Sequence, residues 1–230
     1  MTEQPSSCAS PEIRDAACVI VIDASAEAPK MLMGRRHADQ VFLPDKWVFP
    51  GGRVDNGDRK LAARFNGDFT PRDLASDLKP FALAAIRELC EETGLVIGGM
   101  TTGADPIGDG WGAFAATGYA PAPASLSPLA RAITPPGRVR RYDTWFFTAQ
   151  RSALADVQAM PDGELLDLDW FTLDRARKLD LPNITRLVLE DVAARLHQKP
   201  GIVEKLPFYF ADACGFQRTL ISCSLVPTTP

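Results

Sequence analysis

Three glutamates lie close together in residues 87–95, which read Arg-Glu-Leu-Cys-Glu-Glu-Thr-Gly-Leu. In a helix, Glu88, Glu91 and Glu92 share one face because they are three and four residues apart. Carboxylates this close repel one another unless a cation lies between them, and Mg²⁺ prefers oxygen ligands. The segment therefore indicates either a site for a divalent cation or an acidic helix face in contact with water.

A glycine-rich turn is expected upstream, in residues 49–58, which read Phe-Pro-Gly-Gly-Arg-Val-Asp-Asn-Gly-Asp. A short strand is predicted over residues 47–49, so the turn lies at the exit of this strand. Gly51 and Gly52 allow the backbone to turn sharply, since no Cβ obstructs a close approach. The turn is therefore expected to expose its backbone carbonyl groups.

Together, the two segments resemble the signature of the Nudix superfamily of hydrolases. In that signature a glycine is followed by five residues, a glutamate, seven residues and then Arg-Glu-apolar-x-Glu-Glu-x-Gly-apolar. Gly52 matches the first glycine, and residues 87–95 match the second half at every specified position. Asp58 stands where the signature has glutamate, and 28 residues separate it from Arg87 instead of seven, an insertion of 21. Similar interrupted motifs occur in some peroxisomal coenzyme A diphosphatases and in bacterial Nudix proteins.

The resemblance implies an α/β (α+β) fold, an α/β/α sandwich around a mixed β-sheet. It also implies a hydrolase that cleaves a diphosphate (pyrophosphate) linkage in a nucleoside diphosphate derivative by water attack at phosphorus, with Mg²⁺ or Mn²⁺ as cofactor. The metal ligands that it implies are Gly51, Glu88, Glu91 and Glu92. The catalytic residues that it implies are Arg87, Glu88, Glu91 and Glu164, with either Glu88 or Glu164 as the base. Arg87 is expected to orient the carboxylates by pairing with Asp58 or a neighbouring glutamate.

Candidate contacts to the substrate come from arginines near the turn and before an aromatic strand, namely Arg35, Arg53 and Arg140. A basic edge in contact with water is the alternative interpretation of such residues. Trp111, Tyr142 and Trp145 could stack on a base, although aromatic residues in strands more often belong to the core.

Two other functions fit the same residues. The interrupted motif favours a coenzyme A or acyl-CoA diphosphatase, which belongs to the same chemical class. A catalytically silent Nudix-like nucleotide-binding regulatory module is the alternative of another class. Such modules usually lack one of the glutamates, whereas this chain has Glu88, Glu91 and Glu92.

The composition is that of an ordinary globular protein, with 230 residues, 46% hydrophobic residues and a net charge of −4. We expect a flexible leader over residues 1–14 and a single Nudix domain over residues 15–230. Insertions are predicted near residues 59–79 and 98–136, and a C-terminal extension over residues 198–230. Five scattered cysteines, no basic stripe and no long apolar run predict a cytoplasmic protein that binds neither nucleic acid nor membrane.

Strands are predicted over residues 16–23, 30–35, 140–149 and 165–171, from their content of β-branched and aromatic residues. Helices are predicted over residues 80–93 and 183–197, and short helices over residues 111–119 and 125–132. Residues 59–79 are predicted to be a loop. The C-terminal residues are expected to form an edge strand or to contact a second subunit in a homodimer.

Overall fold

The structure is a computed structural model, which describes residues 11–65, 76–100, 108–198 and 205–222. The strands are β1 (Ile13–Asp23), β2 (Lys30–Arg36), β3 (Trp47–Val48), β4 (Gly51–Arg53), β5 (Leu95–Met100), β6 (Tyr119–Pro121), β7 (Ser127–Ile133), β8 (Arg141–Gln150), β9 (Leu154–Gln158), β10 (Leu165–Thr172), β11 (Lys205–Asp212) and β12 (Gly215–Ser222). The helices are α1 (Asn56–Arg64), α2 (Lys79–Thr93), α3 (Gly112–Ala115), α4 (Leu173–Ala176) and α5 (Asn183–Leu196).

A mixed nine-stranded sheet forms the centre of the fold. Its main path runs β10-β2-β1-β8-β7-β11-β12, with β3 paired to β2 and β4 paired to β1. The β1–β8 and β7–β11 pairs are parallel, and the other pairs are antiparallel. A smaller sheet has the order β6-β5-β9.

Helices cover both faces of the large sheet. Because side chains alternate along a strand, Val19 and Val21 of β1 belong to one core cluster and Ile20 and Ile22 to the other. The first cluster contains the buried apolar residues of α2, and the second contains Val188, Leu189 and Val192 of α5. This arrangement confirms the predicted α/β/α sandwich around a mixed sheet.

Most of the longer elements agree with their predictions. The strands predicted over residues 16–23, 30–35, 140–149 and 165–171 correspond to β1, β2, β8 and β10. The helices predicted over residues 80–93 and 183–197 correspond to α2 and α5. Gly94 ends α2 in the left-handed conformation at φ 74°, which glycine adopts without a steric penalty.

Two local predictions were wrong, and a third was correct only in part. Residues 125–132, predicted as a short helix, lie largely in β7, whose pairing with β8 outweighs the helix preference of alanine and leucine. Residues 59–64, predicted as loop, belong to α1, while residues 66–75 lie outside the described residues. In residues 111–119, only Gly112–Ala115 is helical, since Gly118 has a positive φ and Tyr119 begins β6.

The C-terminal hairpin extends the sheet. Strand β11 joins β7 and pairs with β12, which is the outer strand on that side. Arg131 of β7 fixes this junction, because its guanidinium lies between the rings of Trp145 and Phe208, 5.6 and 5.0 Å from their centroids. Contact of this region with a second subunit stays a prediction. No helix in the described ranges is long and apolar enough to span a bilayer.

Arg131 also forms a buried ion pair with Asp143. The Nε and Nη2 atoms of Arg131 donate to the two carboxylate oxygens at 2.8 and 2.5 Å, and both residues are nearly inaccessible to water. Removing one charge from such a pair leaves the other buried without its partner.

We therefore expect Asp143→Asn to lower the free energy of unfolding by about 3–5 kcal/mol, measured by urea denaturation. Asp174→Asn removes an exposed partner of Arg177 and is the control, with an expected loss of about 1 kcal/mol or less. Equal small losses in both variants would contradict the structural role of the Arg131–Asp143 pair.

Candidate active site

The glycine turn and the C-terminal half of α2 meet beside the middle of β1. The turn is held in place because β4 pairs with β1 and the amide of Val19 donates to the Pro50 carbonyl at 2.9 Å. The amide of Gly51 donates to Oε2 of Glu92 at 2.8 Å. Glu88 lies against Gly52, where a Cβ would overlap its carboxyl group. The turn therefore contacts two glutamates of α2: the Gly51 amide binds Glu92, and the missing side chain at Gly52 leaves room for Glu88.

Arg87 connects the two separated parts of the motif. Its Nε and Nη2 atoms donate to the two oxygens of Asp58, both at 2.9 Å. Its Nη1 lies 2.8 Å from Oε2 of Glu91 and 2.9 Å from Oε1 of Glu88, and Nη2 also donates to the carbonyl of Arg53. Arg87 is 4% exposed and Asp58 is fully buried. The expected pairing of Arg87 with Asp58 and neighbouring glutamates is thus present.

Asp58 has two further partners. Its Oδ2 accepts the amide of Asp55 at 2.8 Å, which caps the first turn of α1. Its Oδ1 accepts the indole N–H of Trp111 at 3.0 Å. Four hydrogen bonds therefore hold this carboxylate, and α1 places it directly beside Arg87.

The three glutamates differ in burial, and this difference affects their pKa values. Burial raises the pKa of Glu88 to about 7, although the Arg87 charge opposes this shift. Burial and the Glu88 charge raise the pKa of Glu92 well above its ordinary value. Burial also raises the pKa of Glu91, although Arg87 opposes it. The negative charge of this cluster is only partly compensated by the protein itself.

Such a donor set suits a divalent cation, which would favour the charged form of the carboxylates. Among the described residues, however, no three acidic, histidine or cysteine side chains are already close enough to hold a metal ion. Glu88 and Glu92 lie beside the glycine turn, and Arg87 contacts both Glu88 and Glu91. Mg²⁺ sites in proteins often have only one or two carboxylates and complete their coordination with water and substrate phosphates. The residues present fit a site of that kind.

Glu164 lies at the rim of this cluster. Its side chain accepts a hydrogen bond from Gln40 at 2.9 Å, and its backbone carbonyl accepts the amide of His37 at 3.2 Å. Its charge is close enough to Glu92 to help raise the pKa of that residue. Glu164 is thus near the three glutamates, but it lies in an exposed segment.

The arginines proposed as substrate contacts do not converge. Arg35 forms ion pairs with Asp45 and Asp167 at the surface, so its charge is already balanced by these two carboxylates. The Arg53 side chain is 54% exposed, and Arg140 is exposed before β8.

Sequence reasoning missed Arg36. Its positive charge acts on Glu92, and its guanidinium bonds to Gln40 and the Phe42 carbonyl. The alternation of side chains along β2 shows that Arg35 and Arg36 face opposite sides, but it does not show which one faces the site.

The three aromatic residues considered for base stacking have different surroundings. Trp111 and Trp145 are buried in the core, so the core interpretation is confirmed for them. Tyr142 is partly buried and contacts Phe42 edge to face, with ring centroids 5.3 Å apart.

Comparisons with known proteins agree with this fold. The crystal structure of a NUDIX hydrolase from Alicyclobacillus acidocaldarius superposes with a TM-score of 0.62 and 29% sequence identity, covering 80% of this chain and 92% of that one. The curated protein "Putative nudix hydrolase 7" from Caenorhabditis elegans is 37% identical over 83 residues. That match covers 36% of this chain and only 22% of the relative's length. No protein-family profile matches the chain.

The chain shares its fold with the Alicyclobacillus NUDIX hydrolase, and Asp58 and Arg87, from the two separated halves of the motif, are paired in the folded chain. The fold and the motif of this chain therefore both resemble those of the Nudix superfamily.

The close approach of Gly52 to Glu88 can be tested with Gly52→Ala. The added Cβ would overlap the Glu88 carboxyl group, which is the flexible end of its side chain and can move away. We expect a folded variant, with a melting temperature within about 5 °C of the wild type and a displaced Glu88 in its crystal structure.

Gly99→Ala is the matched control, because no atom lies within 4 Å of the position where its Cβ would be. It should leave the position of Glu88 unchanged. An unmoved Glu88 in Gly52→Ala would contradict the description of this turn.

Proposed function

We propose that the protein is a hydrolase that cleaves the diphosphate linkage of a nucleoside diphosphate derivative by water attack at phosphorus, with Mg²⁺ or Mn²⁺ as cofactor. The observation that carries this proposal is the Arg87 network. Despite the insertion, Asp58, Arg87, Glu88 and Glu91 are joined by contacts of 2.8–2.9 Å. The likeness to the Alicyclobacillus NUDIX hydrolase supports the same class of activity.

The residues proposed to hold the cation are the three glutamates and the carbonyl of Gly51. Glu88 and Glu92 already lie beside the turn, and Glu88 and Glu91 would each have to exchange part of their contact with Arg87 for the cation. When bound, Mg²⁺ or Mn²⁺ supplies charge that offsets the phosphate oxygens and lowers the pKa of the attacking water.

Arg87 acts in this proposal as a positioning residue. Its buried guanidinium fixes Glu88 and Glu91 through one nitrogen, Nη1, while Asp58 holds its other side. A fixed carboxylate loses little entropy when it accepts a proton or a cation, which favours catalysis.

Two residues are candidates for the base that takes the proton of water. Glu88 is buried beside the turn, and a carboxylate with a pKa of about 7 is well matched to proton transfer near neutral pH. Glu164 is the alternative, because it lies at the rim near Glu92 and is exposed to an incoming substrate. Comparing the pH dependence of kcat in Glu88→Gln and Glu164→Gln separates the two roles.

A substrate screen tests the class of reaction. The purified protein would be incubated with nucleotide sugars, dinucleoside polyphosphates, NADH, ADP-ribose and coenzyme A, each with Mg²⁺ and with Mn²⁺. Release of the two phosphate-containing halves supports the proposal. Preferential cleavage of coenzyme A would favour the coenzyme A diphosphatase hypothesis. Binding without cleavage of any compound would favour the regulatory module.

The metal assignment predicts that Glu91→Gln and Glu92→Gln each lower metal-dependent kcat by roughly 10²-fold or more, because a bound cation supplies several kcal/mol of charge stabilisation. Both variants should keep the wild-type circular dichroism spectrum, since a glutamine at position 92 still offers an oxygen to the amide of Gly51. The measurement is turnover at saturating substrate over a range of Mg²⁺ concentrations.

Glu190→Gln serves as control, because Glu190 lies on α5 in an exposed pair with Arg177. It should retain full activity. Wild-type turnover in both Glu91→Gln and Glu92→Gln would remove these residues from the proposed site.

A further inference from the structure

Trp111 is a buried residue that reaches the proposed site from outside the Nudix motif. It lies between β5 and α3, and its indole N–H donates to Oδ1 of Asp58 across 53 residues of sequence at 3.0 Å. The Trp111 side chain has no exposed surface, and its ring contacts Phe114 edge to face at 5.3 Å. It therefore has one fixed orientation, with its only polar group directed at Asp58.

The backbone around Trp111 is fitted closely to α1. A Cβ at Gly57, in the first turn of α1, would overlap the carbonyl oxygen of Asp109. Only glycine allows this approach, and it brings the chain just before Trp111 against the turn that carries Asp58. The close approach of Gly57 to Asp109 and the hydrogen bond from Trp111 to Asp58 thus independently place residues 109–111 against the first turn of α1.

The contacts of Asp58 show how this could affect catalysis. Oδ1 accepts both Nε of Arg87 and the indole of Trp111, so the two donors share one oxygen. Losing one donor leaves a buried charged oxygen with an unfilled position, and the carboxylate can then rotate to improve its remaining bonds. Any rotation moves Arg87, whose Nη1 fixes Glu88 and Glu91.

We propose that Trp111 is a positioning residue, which orients the glutamates of the site through Asp58 and Arg87. This inference rests on the proposed function, since its kinetic consequence requires a hydrolase. Its structural part, the dependence of the Trp111 hydrogen bond on the Asp58–Arg87 pair, can be measured without any substrate.

The substrate-free test uses the indole N–H resonances of the four tryptophans in ¹⁵N-labelled protein. Trp111→Phe assigns the Trp111 signal, which should exchange slowly with solvent in the wild type. Arg87→Lys should shift this signal and leave the other three in place. An unshifted Trp111 signal in Arg87→Lys would overturn the inference, whether or not the protein proves to be a hydrolase.

The kinetic test compares Trp111→Phe with the matched substitution Trp145→Phe. Both replace a buried tryptophan of the same core cluster, but the Trp145 ring contacts Arg131 instead of the proposed site. We expect Trp111→Phe to lower kcat about tenfold with KM nearly unchanged, an effect typical of residues that orient metal ligands. Trp145→Phe should lower the melting temperature but keep kcat per folded molecule.

A double variant shows whether Trp111 acts through Arg87. If it does, adding Trp111→Phe to Arg87→Lys should lower kcat by less than twofold beyond the loss in Arg87→Lys alone. A full, independent tenfold loss in the double variant, or wild-type kcat in Trp111→Phe, would overturn the positioning role. Absence of hydrolysis by the wild-type protein would instead contradict the proposed function.

Discussion

The buried ion pair between Arg87 and Asp58 is the interaction on which the rest of the site depends. A guanidinium out of contact with water is stable only if its charge and its hydrogen-bond donors are matched. Arg87 meets this requirement with two carboxylate oxygens of Asp58, the carbonyl of Arg53 and the glutamates that follow it on α2. The position of Arg87 therefore determines the positions of Asp58, Glu88 and Glu91.

This constraint explains how the site tolerates the insertion between the two halves of the motif. Loop-closure entropy grows slowly with length, so 21 extra residues weaken the pairing of distant segments only modestly. Residues 59–64 of the insertion belong to α1, whose first turn places Asp58 beside Arg87 and whose Leu61 packs into the core. Asp58, which replaces the usual glutamate, still accepts hydrogen bonds from Nε and Nη2 of Arg87. The motif is thus continuous in space although it is interrupted in sequence.

Much of this could be predicted from sequence, because strong local patterns were involved. The alternating apolar residues of β1, the helix pattern of α2 and the glycine at its end all appear in the printed chain, and so does the cluster of Glu88, Glu91 and Glu92. The start of helix α1 also has a sequence signal, since Asp55 and Asp58 have the spacing of a capping box.

Other features have no local signal. Strand β7 contains Pro128 and three alanine or leucine residues that favour helix, and it is a strand because β8 and β11 pair with it. Its pairing with β8 shifts register between Pro128 and Ala130, the kind of irregularity at which a sheet tolerates proline. The contact of Trp111 with Asp58 joins residues 53 positions apart, and only the folded chain reveals it. Sequence patterns therefore indicate the residues of the proposed site better than they indicate the partners that hold them.

The most direct test of the account is a crystal structure of the protein soaked in a manganese salt, with anomalous data to locate the ion. We expect an anomalous peak bound by oxygens of Glu88 and Glu92 beside the turn at Gly51, with Arg87 still paired to Asp58. A structure with Asp58 distant from Arg87, or with no ion among these glutamates, would contradict it.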